Sequence, residues 1–260
     1  MKESKTLALL QLLNIVGFAG TVLVNVLANT LPIAGKTTGE LSDLYPNLFV
    51  PTGYTFAIWG VIYILLALFV IYQARDIHKL NKDPLVEKIG VWFIISSLAN
   101  MAWIFAWHYE KVFLSLIIML LLLISLIGIY LRLGIGITDV SKEEKFLVHL
   151  PFSVYLGWIT VATIANVTAF LVDINWRAFG LSEATWTALV IIVATLITLT
   201  VLRRREDIFY SFVVIWALIG IFVRRVSADV IYPVLIIWIV AAITVIAYFS
   251  IPVIRKRFRW

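Results

Sequence analysis

The chain has 260 residues, of which 62% are hydrophobic and only 14% are charged, and its mean hydropathy is +1.02. A soluble domain has about 45–50% apolar and about 25% charged residues, so this composition excludes an ordinary soluble domain and indicates an integral membrane protein. Cysteine is absent, which excludes disulfides, thiolate metal sites and a cysteine nucleophile. The net charge of +6 is not concentrated in a basic domain, so we expect no nucleic-acid partner.

Eight apolar runs follow one another along the chain, most of them close to the ~20 residues that a helix needs to cross a bilayer. They cover residues 6–30, 54–74, 86–107, 112–133, 146–172, 184–202, 208–223 and 230–254. We therefore predict an all-α integral membrane protein, a polytopic bundle of about eight transmembrane helices. The first run has the charged start of a signal peptide, but it is longer than the ~7–15 apolar residues of one, so we expect a retained helix.

The distribution of Lys and Arg predicts the orientation of these helices. If the N-terminus is cytoplasmic, 16 of the 21 basic residues fall in cytoplasmic segments and five fall outside. Cytoplasmic loops carry such an excess of Lys and Arg in membrane proteins. We expect a multi-pass protein of the cell membrane, bathed by the lipid bilayer, with both termini in the cytoplasm.

The runs lack the residues of several well-known membrane functions. No Lys lies deep in a run, which disfavours a retinal Schiff base, and no Asp or Glu lies mid-run, which disfavours a coupled ion pump. The three histidines, His78, His108 and His149, lie near run ends and are not at metal-ligand spacing, so we interpret them as interfacial residues. We predict no metal site and no catalytic residue.

The second, third and fifth runs carry aromatic and amide side chains at comparable depths in the membrane. Trp59, Trp103, Trp158, Asn100 and Asn166 are all predicted to lie within the membrane, with most of them in its outer half. Tryptophan at a membrane surface is often only an anchor, and amides often join helices by hydrogen bonds. Buried at this depth, the same residues also suit an aromatic pocket for a flat apolar ligand.

The first run carries a polar stripe of its own. Asn14, Thr21, Asn25 and Asn29 fall near one helical face, because steps of seven, four and four residues are close to whole turns. We interpret this stripe chiefly as hydrogen bonding between helices.

Three segments resemble the TspO/MBR family, the tryptophan-rich sensory proteins related to the mitochondrial translocator protein. The segments are VPTGYTFAIWGVIY in helix two, LANMAWIFAW in helix three and YLGWITVATIAN in helix five. The matching positions are Pro51, Trp59, Gly60, Tyr63, Asn100, Trp103, Tyr155, Trp158, Ala162 and Asn166. The resemblance implies a TspO-like five-helix core at residues 1–175, followed by three additional transmembrane helices at residues 176–260.

The resemblance also implies a function. Family members bind porphyrins and haem-like tetrapyrroles in a pocket that the five helices enclose and the loop between helices one and two covers. Here that loop is 31–53, and Pro51 would be its hinge. The implied ligand-binding residues are Trp59, Tyr63, Asn100, Trp103, Tyr155, Trp158, Ala162 and Asn166. No cofactor is required for this function; a bound porphyrin or haem is what the family suggests. Some members are thought to promote light-dependent porphyrin breakdown, but we do not expect this chain to be an enzyme.

Several positions depart from the family pattern. Val50 and Ala57 stand where the family has prolines, Gly53 replaces its first helix-two tryptophan, and Pro151 lies four residues before Tyr155 instead of next to it. The Tyr-and-Arg sterol segment expected after helix five is not evident.

Two other functions remain open, a small-solute transporter that reuses the core and an assembly partner for another protein. In the transporter, Arg224 and Arg225 would attract an anion to the outer mouth, although such charges also commonly cap a helix end. The transporter predicts a polar cavity shared between the core and helices six to eight. A homodimer is also open.

Overall fold

The computed structural model describes residues 2–31, 33–75, 77 and 84–257, and these residues form helices and connecting turns. His78 and Trp260 lie outside the described residues. Eight long helices follow in chain order: α1 Lys2–Thr30, α2 Ile58–Ala74, α3 Trp92–His108, α4 Val112–Arg132, α5 Leu150–Asp173, α6 Glu183–Arg205, α7 Ile208–Val226 and α8 Pro233–Arg257.

Seven helical segments in this described part of the chain are long and apolar enough to cross a membrane. The segment that falls short is α3, which has 17 residues and a length of about 26 Å. The polytopic helical architecture is thus present, while a count of eight spans remains a prediction that depends on α3.

The prediction of one continuous helix over residues 86–107 is wrong. A short helix, Leu85–Ile89, ends at Gly90, and α3 begins only at Trp92. Gly90 has φ 56° and ψ −133°, a backbone conformation that side chains with a Cβ rarely adopt. Apolar residues on both sides of Gly90 hide this break from a hydropathy pattern.

Helices α2 and α5 each begin with a segment of different geometry. Gly53–Ala57 forms a 3₁₀ helix that leads into α2, and Lys145–His149 forms a π-helical turn before α5. Pro151 lies at the start of α5 and has no N–H to donate to the preceding turn. A π-helical turn beside this proline keeps the chain helical through the predicted span.

The helices pack in a continuous bundle. Helix α1 packs on α3 and α2, α3 on α4, α4 on α5, and α5 on α7, which in turn packs on α6 and α8. At the contact between α5 and α7, a Cβ on Gly157 would lie 3.1 Å from the carbonyl oxygen of Tyr210. A glycine here lets the two backbones approach closely, so α7 is directly joined to the predicted five-helix core.

Ion pairs near the helix ends indicate that successive long helices run in alternating directions. At one end, which we call the lid end, Lys36 pairs with Glu110 at 3.3 Å and Arg224 pairs with Asp43 at 2.7 Å. At the opposite end, Lys256 pairs with Glu206 at 2.6 Å. The predicted outer segments therefore gather at the lid end, although which side of the membrane this end faces is not shown.

The polar stripe of α1 forms hydrogen bonds to neighbouring helices, as predicted. The side chain of Gln11 donates to the carbonyl of Gln73 at 2.6 Å, and Asn14 donates to the Gln73 side chain at 3.3 Å. Nearer the lid end, Asn25 donates to Asn100 at 2.7 Å. Amides in an apolar environment need such partners, so α1 is fastened to α2 and α3 by polar contacts as well as packing.

Candidate ligand-binding site

Trp59 is the centre of a cluster of aromatic rings below the lid end. Its ring is stacked on Tyr63 at a centroid distance of 5.6 Å and on Trp103 at 6.4 Å. It meets Tyr155 edge-on at 6.1 Å and Trp158 edge-on at 6.2 Å. Each such pair contributes about 0.5–1.5 kcal/mol beyond burial, so helices α2, α3 and α5 are held together around one indole.

The ring cluster continues upward to the lid end. Trp103 stacks on Trp107 at 6.1 Å, and Trp107 contacts Tyr45 of the covering loop at 5.6 Å. On the other side, Phe56 meets Trp158 edge-on at 6.0 Å. The indole N–H of Trp107 donates to the backbone carbonyl of Thr38 at 3.3 Å, which ties the loop to α3. The loop is therefore seated on the cluster by ring contacts and one hydrogen bond.

Two amides predicted for the site lie in different surroundings. Asn100 is fully buried; it donates to the Tyr155 hydroxyl at 2.9 Å and accepts from Asn25. Asn166 accepts from the Ser115 hydroxyl at 3.0 Å, and it borders a cavity. Asn100 and Tyr155 thus brace the helices behind Trp59, whereas Asn166 is placed to contact a ligand.

A cavity of about 50 Å³ lies between the covering loop and helices α2, α3 and α5. Its lining consists of Thr38, Ser42, Phe49, Pro51, Phe56, Trp59, Trp103, Trp107, Trp158, Val161, Ala162, Ala165 and Asn166. None of these side chains is charged. A cavity of this size accommodates water-sized molecules, whereas drug-sized ligands occupy pockets of about 300–1,000 Å³.

Several buried polar atoms around this cavity have no hydrogen-bond partner among the described residues. They include the indole nitrogens of Trp103 and Trp158 and the hydroxyl of Thr38, all in the cavity lining, and the hydroxyl of Tyr63 just beneath it. An unpaired buried donor is costly, about 1–3 kcal/mol. Each of these groups would gain a partner if a molecule that opened the lining offered it an acceptor.

A second cavity of about 260 Å³ lies on the α1 side of the first. The two cavities share Thr38, Phe56 and Trp59 as a common wall. The second adds the amides of Asn25 and Asn29, so it is the more polar of the two. Movement of the shared side chains would join both cavities into one elongated site.

The structure gathers most of the predicted ligand-binding residues, but not all of them in one lining. Pro51, Trp59, Trp103, Trp158, Ala162 and Asn166 line the first cavity, Tyr63 lines the second, and Asn100 and Tyr155 line neither. Sequence reasoning missed Thr38, Ser42, Phe49, Phe56, Trp107, Val161 and Ala165. Helical spacing from Trp103 and Trp158 could have indicated those on α3 and α5; nothing in the sequence located those of the loop.

The charged and metal-ligating candidates take structural positions. His108 is buried rather than interfacial, with Nδ1 2.8 Å from the carbonyl oxygen of Ile104, and His149 is buried too. Across the described ranges, no group of three or more His, Asp or Glu side chains is arranged to hold a metal ion. Arg224 is engaged by Asp43 and by the Pro51 carbonyl, so it does not stand free at a cavity mouth.

Comparison with known protein families identifies the chain's relationship. A family model described as TSPO-like protein matches residues 11–251. The chain belongs to the TSPO-like protein family. Neither the curated proteins nor the solved structures compared with it include a match.

The family match extends beyond the predicted five-helix core. It begins in α1 and ends in α8, and so spans the predicted boundary at residue 175. This TSPO-like chain is therefore matched over α6, α7 and most of α8 as well as over the helices that carry the aromatic cluster. The division into a five-helix core at residues 1–175 and three additional helices at residues 176–260 stays a prediction.

Proposed function

We propose that this TSPO-like membrane protein is a sensor or carrier that binds a tetrapyrrole, or another flat hydrophobic molecule, against the Trp59 cluster. The observation that carries the proposal is the pairing of stacked rings with unpaired indole N–H groups in one uncharged lining. Flat faces of Trp59 and Trp103 suit an extended ring system. The N–H groups of Trp103 and Trp158 would fix its orientation through carbonyl or carboxylate acceptors.

The size of the first cavity sets a condition on this proposal. About 50 Å³ is far less than a tetrapyrrole needs, so the ligand must displace part of the lining. The loop supplies Thr38, Ser42, Phe49 and Pro51 to that lining, and loops rearrange more readily than packed helices. We expect the loop side of the site to open on binding while α2, α3 and α5 stay in place.

Quenching of tryptophan fluorescence by protoporphyrin tests the proposal. The experiment compares the parent with a Trp59→Phe, Trp158→Phe variant in detergent, after circular dichroism has shown that both are folded. The variant keeps two rings but loses indole area and two indole N–H donors, of which that of Trp158 is unpaired, so we expect at least a tenfold rise in Kd, equivalent to about 1.4 kcal/mol. A Trp176→Phe, Trp186→Phe variant is the matched control, because that pair lies apart from the cavity and its rings contact each other at 4.6 Å.

Two results would contradict the proposal: no saturable quenching by the parent, or equal Kd values for the parent and the site variant. Either result would favour the transporter.

One observation supports that second candidate, a polar cavity of about 400 Å³ at the end opposite the lid. It is shared between the predicted core, through Asp139, Lys145 and His149, and the later helices, through Glu206 and Lys256. Solute uptake by reconstituted vesicles would then be the next measurement.

A further inference from the structure

We propose that α7 latches the covering loop over the candidate ligand site, and that Arg224 is the residue that releases or holds it. Only the identity of the molecule that enters the site depends on the proposed function. The latch itself is a movement of the loop: the edge of the loop that contacts α7 opens when the ion pair between Arg224 and Asp43 separates.

Arg224 joins two separate parts of the cavity roof. Its Nη1 lies 2.7 Å from Oδ1 of Asp43 and donates to the backbone carbonyl of Pro51 at 3.1 Å. Asp43 is the last residue of the short helix Thr38–Asp43, whose Thr38 and Ser42 line the cavity. Pro51 lines the cavity as well. One guanidinium from α7 therefore holds both the helix Thr38–Asp43, which we call the roof helix, and the segment around Pro51 that leads into α2.

The chain just after Pro51 is fixed to α7 more firmly. The backbone N–H of Thr52 donates to the carbonyl of Gly220 at 3.2 Å, and the indole of Trp216 donates to the carbonyl of Thr55 at 3.0 Å. A Cβ added to Gly220 would lie only 2.1 Å from the Thr55 hydroxyl, so the backbones are in close contact. These buried contacts make residues 52–55 a fixed base on which the roof can turn.

The ion pair, by contrast, is suited to opening. The side chains of Arg224 and Asp43 are 33% and 55% exposed, and exposed ion pairs contribute only about 0–1 kcal/mol. On its other edge the roof is held to α3 by Trp107, through the Thr38 carbonyl and the Tyr45 ring. Opening at the α7 edge thus breaks a weak, partly solvated contact and leaves the aromatic seat on α3 intact.

A single cysteine under the roof tests the latch without any ligand. The chain has no cysteine, so Ser42→Cys in the cavity lining supplies a unique thiol, and its labelling rate with a maleimide reports opening. Because the pair contributes at most about 1 kcal/mol, we expect Arg224→Gln and Asp43→Asn each to raise that rate about two- to fivefold. The reversed pair Asp43→Arg, Arg224→Asp should return it toward the parent value. Arg177→Gln, an exposed arginine in the α5–α6 connection at the lid end, is the matched control and should change nothing.

A second reporter separates a latch from general loosening. Ser125 is fully buried in α4, and the Ser125→Cys thiol should stay unreactive in the Arg224→Gln background. Faster labelling at both reporters would mean that Arg224 only stabilises the fold and would overturn the latch. Unchanged labelling of the Ser42→Cys thiol in Arg224→Gln would overturn it too.

Porphyrin quenching then separates the latch from the proposed function. If the latch and the ligand site are both correct, Arg224→Gln should raise the association rate for protoporphyrin by about the factor found for labelling. In an Asp43→Cys, Arg224→Cys variant, a short reversible thiol cross-linker should block quenching until reductant is added. Faster labelling with no quenching by the parent would support the latch and contradict the tetrapyrrole site. Saturable quenching with unchanged labelling would do the reverse.

Discussion

Asn100 illustrates how a single amide supports the aromatic cluster from behind. Its side chain accepts from Asn25 and donates to Tyr155, so the Asn100→Leu variant takes away the donor to the Tyr155 hydroxyl and one of the two acceptors of the Asn25 amide, which keeps only the Thr21 carbonyl. We expect a loss of about 1–2 kcal/mol in the free energy of unfolding, measured in detergent. Asn29→Leu is the control and should cost far less, since Asn29 is exposed and bonds only to its own helix.

Double substitution sharpens the Asn100 prediction. In an Asn25→Leu, Asn100→Leu variant both partners of the Asn25–Asn100 hydrogen bond are removed together, and replacing both partners by apolar groups is often nearly neutral. The double variant should therefore lose less than the sum of the two single losses. Strict additivity would show that the two amides are not energetically coupled.

At the level of residues, sequence reasoning located the aromatic cluster but could not rank its members. The aromatic-pocket interpretation and the family resemblance brought Trp59, Trp103 and Trp158 to one site, and the rings of Trp103 and Trp158 both contact that of Trp59. Whether an amide faces a cavity or a neighbouring helix depends on rotation by a fraction of a turn. Asn100 and Asn166 share one residue type and similar depth, yet only Asn166 borders the cavity.

Asp207 is the N-cap residue of α7. One carboxylate oxygen accepts from the backbone N–H groups of Phe209 and Tyr210 at the start of α7, and the other accepts from Tyr130 and Ser153 at 2.8 and 2.7 Å. The carboxylate thus caps α7 and binds it to α4 and α5. Sequence reasoning did not single out Asp207, because a capping acid before an apolar run looks the same whether or not it has distant partners.

We expect Asp207→Ala to lower the free energy of unfolding by about 2–4 kcal/mol, since both the cap and two buried hydroxyl partners are lost. Asp207→Asn should cost less, because the amide can still cap the helix and both hydroxyl groups can turn to accept from it. Denaturant unfolding in detergent measures both. Asp139→Ala, with a side chain 97% exposed, is the control; an equally large loss there would refute the argument.

The contact between α7 and the start of α2 gives a second prediction about elements. The Gly220→Ala variant places a methyl group 2.1 Å from the Thr55 hydroxyl, so α7 must shift from residues 53–57. We expect a loss of about 1–3 kcal/mol, measured by thermal unfolding. Gly60→Ala is the matched control: nothing lies within 4 Å of its Cβ position, and alanine is the better helix former. A Gly220→Ala variant as stable as the Gly60→Ala one would contradict this close approach.

Elements were predictable where hydropathy alone decides them and not where backbone geometry does. The long helices follow the apolar runs closely, as α4 at Val112–Arg132 shows against the predicted 112–133. The break at Gly90 and the π-helical turn at Lys145–His149 lie inside apolar sequence and leave no trace in it. The roof helix Thr38–Asp43 has a Thr37–Glu40 capping box that could have been recognised, but its seat on Trp107 could not.

For the whole molecule, the later helices are part of the same structure as the core. Asp207 bonds to α4 and α5, Gly157 approaches α7 closely, and Arg224 reaches the roof. The family match likewise covers these helices, since it ends at residue 251. Sequence patterns reveal how many helices follow one another but not which of them touch, so the resemblance to a five-helix family left residues 176–260 described only as three additional helices.

Orientation in the membrane is the last prediction for the whole molecule. The excess of Lys and Arg predicts that the lid end faces the outside of the cell, and the absence of cysteine makes this testable. We expect an impermeant maleimide to label Ser227→Cys in intact cells, because Ser227 is exposed at the end of α7 that carries Arg224. Asp139→Cys, exposed at the opposite end, should react only after permeabilisation. The reverse pattern would turn the lid toward the cytoplasm, so that any ligand of the Trp59 cluster would be drawn from inside the cell.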